Sequence, residues 1–129
     1  MKSSLDWPSI RHRAAQFPEE AFEFVREGLK HTVQAMHGQP EDPESSPDER
    51  RHVSGQQLCL GLRELAVLRY GMLSKTVLNR WGIYKTDDFG MIVYAMIDRG
   101  ELRASDNDSL ADFKGVFDFA EAFNCVGVS

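Results

Sequence analysis

The sequence predicts a mainly α-helical fold with one small antiparallel β-hairpin, in which residues 54–119 are arranged like a winged helix. Apolar side chains recur at spacings of three and four through much of the chain, a pattern typical of amphipathic helices. After the last of these helices, two short apolar segments flank an Asp-Asn-Asp-Ser sequence, which favours a hairpin. The 129 residues are enough for a single domain with its own core.

The N-terminal part is predicted to contain one short helix and one long helix. Asp6 is suited to cap a helix over residues 6–15, and Pro8 is acceptable in its first turn. A second helix over residues 18–37 begins at Pro18, and two glutamates in its first turn favour the positive end of the helix dipole. Its apolar stripe consists of Phe22, Val25, Leu29, Val33 and Met36.

Residues 39–52 are predicted to be a mobile acidic loop. Residues 39–49 contain three prolines, five acidic residues and no large apolar residue. Such a segment buries too little apolar surface to offset the entropy lost on ordering. Ser45 and Ser46 are candidate phosphorylation sites, but a solvated spacer is the simpler interpretation.

A helix-turn-helix is predicted from residue 54 onward. Ser54 and Gln57 match a capping box, in which the hydroxyl and the amide each bond the other residue's backbone N–H. The buried stripe of this helix is predicted to be Leu58, Leu62, Leu65 and Ala66. Gly71 then separates it from a helix that has Leu73, Val77 and Trp81 on one face and is expected to end at Gly82.

The third helix of this part is predicted to begin at Thr86, as its N-cap, and to end at Gly100. The hairpin would follow, with strands over residues 102–105 and 115–119 and a turn over residues 106–109. The apolar stripe of the helix matches the i, i+3, i+4, i+7, i+8 pattern with Phe89, Ile92, Val93, Met96 and Ile97. Residues 120–123 are expected to add a helical turn that buries Phe123.

Composition and charge restrict the possible functions. The net charge is −5, but residues 54–85 carry five basic and one acidic side chain, and residues 86–129 carry three basic and nine acidic ones. No apolar run approaches the roughly 20 residues of a membrane-spanning helix, and the N-terminus lacks the apolar stretch of a signal peptide. The two cysteines lie far apart and are expected to be free thiols. We therefore expect a cytoplasmic protein that does not engage a membrane.

The predicted third helix has an outward face that is unsuited to DNA. A wheel centred on Phe89 places Asp87, Met91, Tyr94 and Asp98 outward. DNA bases are read mainly by Arg, Lys, Asn and Gln, and two aspartates would meet phosphate with like charge. Because Met and Tyr are enriched at protein interfaces, these four residues are the candidate partner surface. The other interpretation, slightly favoured, is that another segment of the chain covers Met91 and Tyr94, and the 18–37 helix is the obvious candidate.

A candidate nucleic-acid surface lies instead in the basic segment. It consists of Arg69, Lys75, Arg80 and Lys85. The simpler interpretation is that these four cations are a solvated face paired with nearby carboxylates.

The motifs of common enzymes and metal sites are missing from the sequence. It contains no G-x-S-x-G, no phosphate-binding glycine loop and no H-E-x-x-H. The loop aspartates Asp106, Asp108 and Asp112 fail the ligand spacing of an EF-hand, and the histidines and cysteines lack zinc spacing. We therefore predict no catalytic, cofactor-binding or metal-binding residue.

Two residues of the basic segment have chemistry that could be misread as catalytic. Cys59 lies in an apolar helical stretch and is expected to be a buried core thiol. Glu64 is the one acid of residues 54–85 and is expected to pair with Arg63, Arg69 or Lys75 rather than to act as a general acid.

Four segments together resemble an uncharacterised family of small bacterial proteins: FPEEAFEFVREGL, HVSGQQLCLGLRELA, WGIYKTDDFGMIVYAMIDRGEL and DSLADFKGVFDFAEAF. The most specific part is the pairing of WGI..T.DFG.IV with DS..DF....DF. The resemblance covers most of the chain outside the predicted loop. It implies a bacterial cytoplasmic origin and a complete single-domain protein, and it assigns no activity, substrate or cofactor.

The function predicted from these observations is a non-enzymatic protein–protein interaction module that binds another protein or forms a homodimer. A nucleic-acid-associated regulator that binds through the basic 69–85 surface is the alternative, and an enzyme with an unrecognised site is a third hypothesis. Fold alone does not decide among them.

Overall fold

The computed structural model describes residues 6–37, 53–103 and 108–124, and in these ranges the fold is entirely helical. In the described ranges the α-helices are α1 (Trp7–Ala14), α2 (Glu19–His37), α3 (Gly55–Tyr70), α4 (Ser74–Arg80), α5 (Thr86–Asp98) and α6 (Phe119–Asn124). Short 3₁₀ turns follow α3 at Gly71–Leu73 and precede α6 at Leu110–Phe113. The mainly α prediction is confirmed, whereas the loop predicted over 39–52 lies outside the described residues.

Helices α2 and α3 form a tightly packed antiparallel pair. Thr32 of α2 faces Gly61 of α3, and Glu27 of α2 bonds Arg69 of α3. Residue numbers therefore fall along α2 as they rise along α3, which makes the pair antiparallel. A Cβ added to Gly61 would overlap the Thr32 hydroxyl and lie 2.9 Å from Thr32 Cβ. Gly28 is equally close to the side chain of Leu62, since an added Cβ would lie 3.0 Å from its Cγ. The missing side chains of the two glycines therefore allow the backbones to approach.

Helix α5 lies at the centre of the core. It packs on the 3₁₀ turn Leu110–Phe113 and on helices α1, α2 and α3. Its predicted stripe is buried except at Ile97, which is half-buried. The core around it is completed mainly by Ile10, Phe22, Phe24, Val25, Leu58, Cys59, Leu62, Leu78, Ile83, Phe113, Phe119 and Phe123. Burial of Phe123 on helix α6 confirms the predicted final helical turn.

The helix boundaries follow largely from local hydrogen bonds. The Ser54 hydroxyl accepts the N–H of Gln57 at 3.1 Å, and the Gln57 side chain accepts the N–H of Ser54 at 2.8 Å. This confirms the predicted capping box. Gly82 and Gly100 have φ of 86° and 85°, and each lies where a helix was predicted to end. Left-handed backbone at these two positions favours glycine because it has no Cβ.

The predicted N-cap of α5 is wrong by one residue. Thr86 is the first residue of the helix, and its hydroxyl accepts the N–H of Val116 at 3.1 Å. The helix start is capped instead by the Asp88 carboxylate, which accepts the N–H groups of Tyr84 at 2.8 Å and Lys85 at 3.2 Å. A threonine that bonds a distant segment is not available to its own helix, and a carboxylate in the first turn takes its place.

The predicted hairpin, and with it the winged-helix arrangement of residues 54–119, is wrong. Residues 102–103 and 115–118 form no strand, and residues 104–107 lie outside the described ranges. Ser109 instead caps a 3₁₀ turn, because its hydroxyl accepts the N–H of Ala111 at 3.0 Å and Asp112 accepts the N–H of Ser109 at 3.1 Å. The turn places Phe113 in the core, where its side chain packs directly against Gly90.

Candidate interaction surface

The predicted partner face of α5 is covered by the chain itself. Tyr94 is 3% exposed. Its ring centroid lies 6.3 Å from that of Trp7 on α1 and 6.4 Å, edge to face, from that of Phe113. Met91 is half-buried. Of the two interpretations that the sequence left open for Tyr94, burial within the chain is the one observed. The rings that contact it lie on α1 and on the 3₁₀ turn, whereas the sequence suggested the 18–37 helix.

The two aspartates of that predicted face also have partners within the chain. Asp98 accepts from Arg11 Nε at 2.7 Å and from Arg11 Nη2 at 2.9 Å. The hydrogen bond from Arg11 lowers the pKa of the Asp98 carboxyl below its ordinary value. Asp87 accepts the N–H of Gly115 at 3.4 Å. The structure thus brings Asp87, Met91, Tyr94 and Asp98 together as an internal contact surface of α5.

The candidate nucleic-acid residues are placed differently. Arg69 at the end of α3 bonds Glu27 of α2, which agrees with the predicted pairing to a carboxylate. Lys75 and Arg80 are exposed on α4, and Lys85 is exposed just before α5. Three of the four cations therefore lie on and beside α4, and the fourth helps to hold α2 against α3.

An open apolar groove lies between the C-terminal half of α2 and the outer side of α3. Its volume is about 640 Å³. Met36, Leu60 and Leu68 are 41%, 50% and 69% exposed, respectively, in or beside it. We call this feature the α2–α3 groove; its lining is Thr32, Ala35, Met36, Gln57, Leu60, Gly61, Arg63, Glu64, Val67 and Leu68.

The groove exists because the two ends of α2 are covered unequally. At the N-terminal end, Phe22 and Val25 are buried, and the Arg99 guanidinium lies 4.4 Å from the centroid of the Phe22 ring. Toward the C-terminal end, the same stripe continues into Met36, which is largely uncovered. Of the described residues, only those of α3 line the groove beside those of α2.

The edge of the groove is polar and carries both signs of charge. Glu64 lies 2.8 Å from Nε2 of His31, and the proton donor of that pair depends on the histidine tautomer. Arg63 is exposed beside it. The predicted partner of Glu64 is therefore wrong, because the antiparallel packing of α2 brings a histidine closer than the basic residues of the same segment.

Cys59 is fully buried on the opposite side of α3, as predicted. Burial raises the pKa of its thiol to about 12, because an apolar environment disfavours the thiolate. The reactive thiolate form is therefore scarce at neutral pH. Cys125 lies outside the described residues.

One of the three loop aspartates is shown to serve the backbone. Asp112 is the partner of Ser109 described above, and Asp106 lies outside the described ranges. Within those ranges, no group of three or more His, Cys, Asp or Glu side chains is arranged to hold a metal ion. Among the helices that the structure describes, none is both long enough and apolar enough to cross a membrane.

No protein-family model, no curated protein and no solved structure matches this chain. The groove must therefore be interpreted from its own residues. A sequence signal for it existed, because Leu60 and Leu68 fall outside the stripe formed by Leu58, Leu62 and Leu65. Helix α3 is apolar on two sides, and the predicted buried stripe accounts only for the side that does not carry Leu60 and Leu68.

Proposed function

We propose that the protein is a non-enzymatic interaction module that self-associates through the α2–α3 groove. The observation that carries the proposal is the exposure of Met36, Leu60 and Leu68 along one side of a helix pair whose other side is buried. Contiguous apolar groups with a polar edge are typical of protein interaction sites.

The spacing of the groove residues favours a helical partner. Gln57, Leu60, Glu64 and Val67 follow one another at intervals of three, four and three along α3. Helices pack along such seams with their axes nearly parallel or antiparallel. A second copy of the chain supplies two such helices, and two antiparallel pairs placed face to face form a four-helix bundle.

Charge also favours a second copy over a strongly charged partner. The groove edge holds Arg63 and Glu64, one of each sign, and His31 next to Glu64. In an isologous dimer the same surface meets itself, so a surface with both signs can place unlike charges opposite each other. A partner of high net charge would gain little from such an edge.

The size of the groove indicates a weak dimer. Residues 57–68 extend roughly 18 Å along α3, and two helices side by side are roughly 20 Å wide. A face of this size, roughly 360 Å² on each subunit, lies below the roughly 1,200 Å² total of stable specific interfaces, among weak and transient ones. We therefore expect a dissociation constant in the micromolar range, which corresponds to about −8 kcal/mol.

Sedimentation velocity over a wide range of protein concentration tests the proposal. The wild-type chain is expected to shift from monomer to dimer as concentration rises. The double variant Leu60→Asp/Leu68→Asp should stay monomeric and keep its helical circular dichroism, because both side chains are exposed.

The matched control is Gln56→Asp, an exposed position of the same helix outside the groove lining. It should dimerise like the wild type. A wild-type chain that remains monomeric at every concentration, or a double variant that still dimerises, would contradict the proposal.

We further propose a bacterial cytoplasmic setting for this module. The sequence resemblance supports the bacterial origin, and the buried free thiol of Cys59 is compatible with a reducing compartment. The high pKa of Cys59 argues against one enzymatic mechanism, in which this thiol would act as the nucleophile. The non-enzymatic proposal would be contradicted if the purified chain turned over a substrate and if substitution of a groove residue abolished that activity.

A further inference from the structure

A second exposed surface, separate from the groove lining, surrounds α4. Its apolar members Met72, Leu73 and Tyr84 are 69%, 61% and 62% exposed. Its basic members Lys75, Arg80 and Lys85 are also exposed. We call these six residues the α4 surface.

The orientation of α4 turns its basic residues toward solvent. Ser74 and Leu78 are buried, and the Ser74 hydroxyl lies 3.0 Å from the carbonyl oxygen of Ala66 and 2.7 Å from that of Gly71. Each helical residue advances about 100° around the axis. The solvent-facing side of α4 is therefore centred on Thr76, with Arg80 about 40° from that centre and Lys75 at its edge, about 140° from Arg80.

The charge of this part of the chain has one sign. Between Glu64 and Asp87 the sequence contains four basic residues and no acidic residue. One of the four, Arg69, is engaged by Glu27. Three exposed cations therefore remain around α4, in a chain whose net charge is −5. This local reversal of charge attracts an anionic partner.

The exposed apolar groups decide which kind of anionic partner fits. Nucleic acid is bound mainly through phosphate neutralisation and polar base contacts, and apolar Met or Leu side chains enter it chiefly as wedges between base steps of kinked DNA. A bilayer surface uses both kinds of group, because apolar side chains enter the boundary region while cations meet the lipid phosphates. Tyrosine is enriched at this boundary because its ring is apolar and its hydroxyl is polar.

We propose that the α4 surface docks the protein on a bilayer that contains anionic lipids. Met72 and Leu73 enter the headgroup region, and Lys75, Arg80 and Lys85 lie at the level of the lipid phosphates. The contact is peripheral and needs no spanning helix, so the proposal replaces the sequence-based expectation that the protein does not engage a membrane. It is independent of self-association, because none of these six residues lines the α2–α3 groove.

Vesicle co-sedimentation tests this inference directly. The probes are vesicles of phosphatidylcholine alone and vesicles of phosphatidylcholine mixed with phosphatidylglycerol, each at low and high salt. The full-length wild-type chain is expected to bind the mixed vesicles at low salt. It should bind them more weakly at high salt and bind phosphatidylcholine alone poorly, because salt screens charges that face water.

Two variants separate the electrostatic and apolar contributions. Each cation near an anionic bilayer contributes a factor of roughly five to binding, so Lys75→Gln/Arg80→Gln should bind about 25-fold more weakly. Met72→Ser/Leu73→Ser should bind about tenfold more weakly or worse while keeping the salt dependence. All four side chains are exposed, so both variants should retain wild-type circular dichroism.

The control Arg13→Gln/Lys114→Gln removes two exposed cations elsewhere and should bind like the wild type. Equal binding to both vesicle types, or no binding to the mixed vesicles, would overturn the inference. It would also be overturned if Met72→Ser/Leu73→Ser bound vesicles normally while the chain bound duplex DNA through Lys75 and Arg80. That outcome would assign the α4 surface to nucleic acid.

Discussion

The substitution Gly61→Ala tests the close packing of α2 on α3. Gly61 faces Thr32, and an added Cβ would overlap the Thr32 hydroxyl and lie 2.9 Å from Thr32 Cβ. Thr32 is buried, and its hydroxyl donates to the carbonyl oxygen of Gly28 at 2.7 Å. Turning the side chain offers no escape, because Thr32 Cγ2 would also lie 3.2 Å from the new Cβ. The two helices must therefore separate locally.

Two opposing effects set the magnitude of the change. Replacing glycine by alanine inside a helix stabilises it by about 1 kcal/mol. Overpacking a well-packed contact costs about 1–3 kcal/mol, and disturbing the Thr32 hydrogen bond costs about 1 kcal/mol more. We expect a net loss of about 2 kcal/mol in the free energy of unfolding. Gln56→Ala, at an exposed position of the same helix, should lose nothing comparable.

A double-mutant cycle identifies the cause of the loss. Thr32→Ala removes the overlapping hydroxyl, so Gly61→Ala should cost less in that background than in the wild type. We expect a favourable coupling of about 1 kcal/mol, which is typical of residues in contact. Urea unfolding at one fixed protein concentration provides the measurement, since self-association would otherwise add concentration-dependent stability.

Two results would contradict this interpretation of the helix pair. An unchanged or increased stability of Gly61→Ala would mean that α2 and α3 separate at little cost. Strict additivity of Gly61→Ala and Thr32→Ala would mean that the new methyl group does not meet Thr32. Either outcome would place the groove between two helices that are less tightly held than the structure indicates.

Three further predictions concern burial and charge. Tyr94→Glu should lower the free energy of unfolding, measured in urea, by at least about 3 kcal/mol, because it buries a carboxylate and removes ring contacts. Tyr84→Glu, at an exposed position, should leave the free energy of unfolding near the wild-type value. Equal stability of the two variants would mean that Tyr94 is not enclosed. Cys59, whose pKa burial raises to about 12, should react with a thiol reagent at neutral pH far more slowly in the native chain than in urea, as measured in a Cys125→Ser background; equal rates would contradict its burial. Hydrogen bonds from Arg11 and Arg26 lower the pKa values of Asp98 and Glu101 in the folded chain below their ordinary values of 3.8 and 4.5. The two carboxylates therefore stabilise the fold fully at pH values above their ordinary pKa values. They lose that contribution as the pH falls through their lower pKa values in the folded chain. Urea midpoints should therefore fall below about pH 4.5, less steeply in Asp98→Asn, and an identical pH profile for that variant would count against the Arg11 pair.

Features that depend on a few neighbouring residues were predictable from the sequence. The capping box of Ser54 and Gln57 closes over three residues, and glycines at 82 and 100 end their helices through hydrogen bonds of equally short range. In both cases the N–H of the next residue bonds a carbonyl five positions earlier, from Ile83 to Leu78 at 2.9 Å and from Glu101 to Met96 at 2.9 Å. Such patterns are complete within the segment that carries them.

The hairpin was predicted because two readings of one local pattern compete. The residues at 106–109 favour a turn between strands, but Ser109 and Asp112 also match the capping box used at Ser54 and Gln57. Tertiary contacts favour the second reading, since it buries Phe113 in the space left by Gly55 and Gly90. Which reading prevails depends on residues more than 20 positions away, so spacing alone cannot decide between them.

The burial of Tyr94 was left open by the sequence for a different reason. A helical wheel centred on Phe89 gives α5 one core face and one solvent face, and it places Tyr94 on the second. From Phe89 to Ile97, however, α5 contains no charged residue, and a helix that is apolar on all sides is a buried helix. Covering it requires elements on several sides, and α1 and the 3₁₀ turn Leu110–Phe113 provide them. The absence of charge was therefore the stronger signal.

The central position of α5 also explains why the proposed contacts lie elsewhere. Folding uses the apolar groups of α5 and the inner stripe of α3. It leaves Leu60 and Leu68 on the outer side of α3, and Met72 and Leu73 in the 3₁₀ turn before α4, in water. Exposed apolar groups of this size lower solubility and gain nothing from folding. A dimer formed through the α2–α3 groove would cover the first pair and carry two copies of the second. When both copies face one bilayer, two weak membrane contacts bind far more tightly together than either alone, and self-association then strengthens docking without any new contact to lipid.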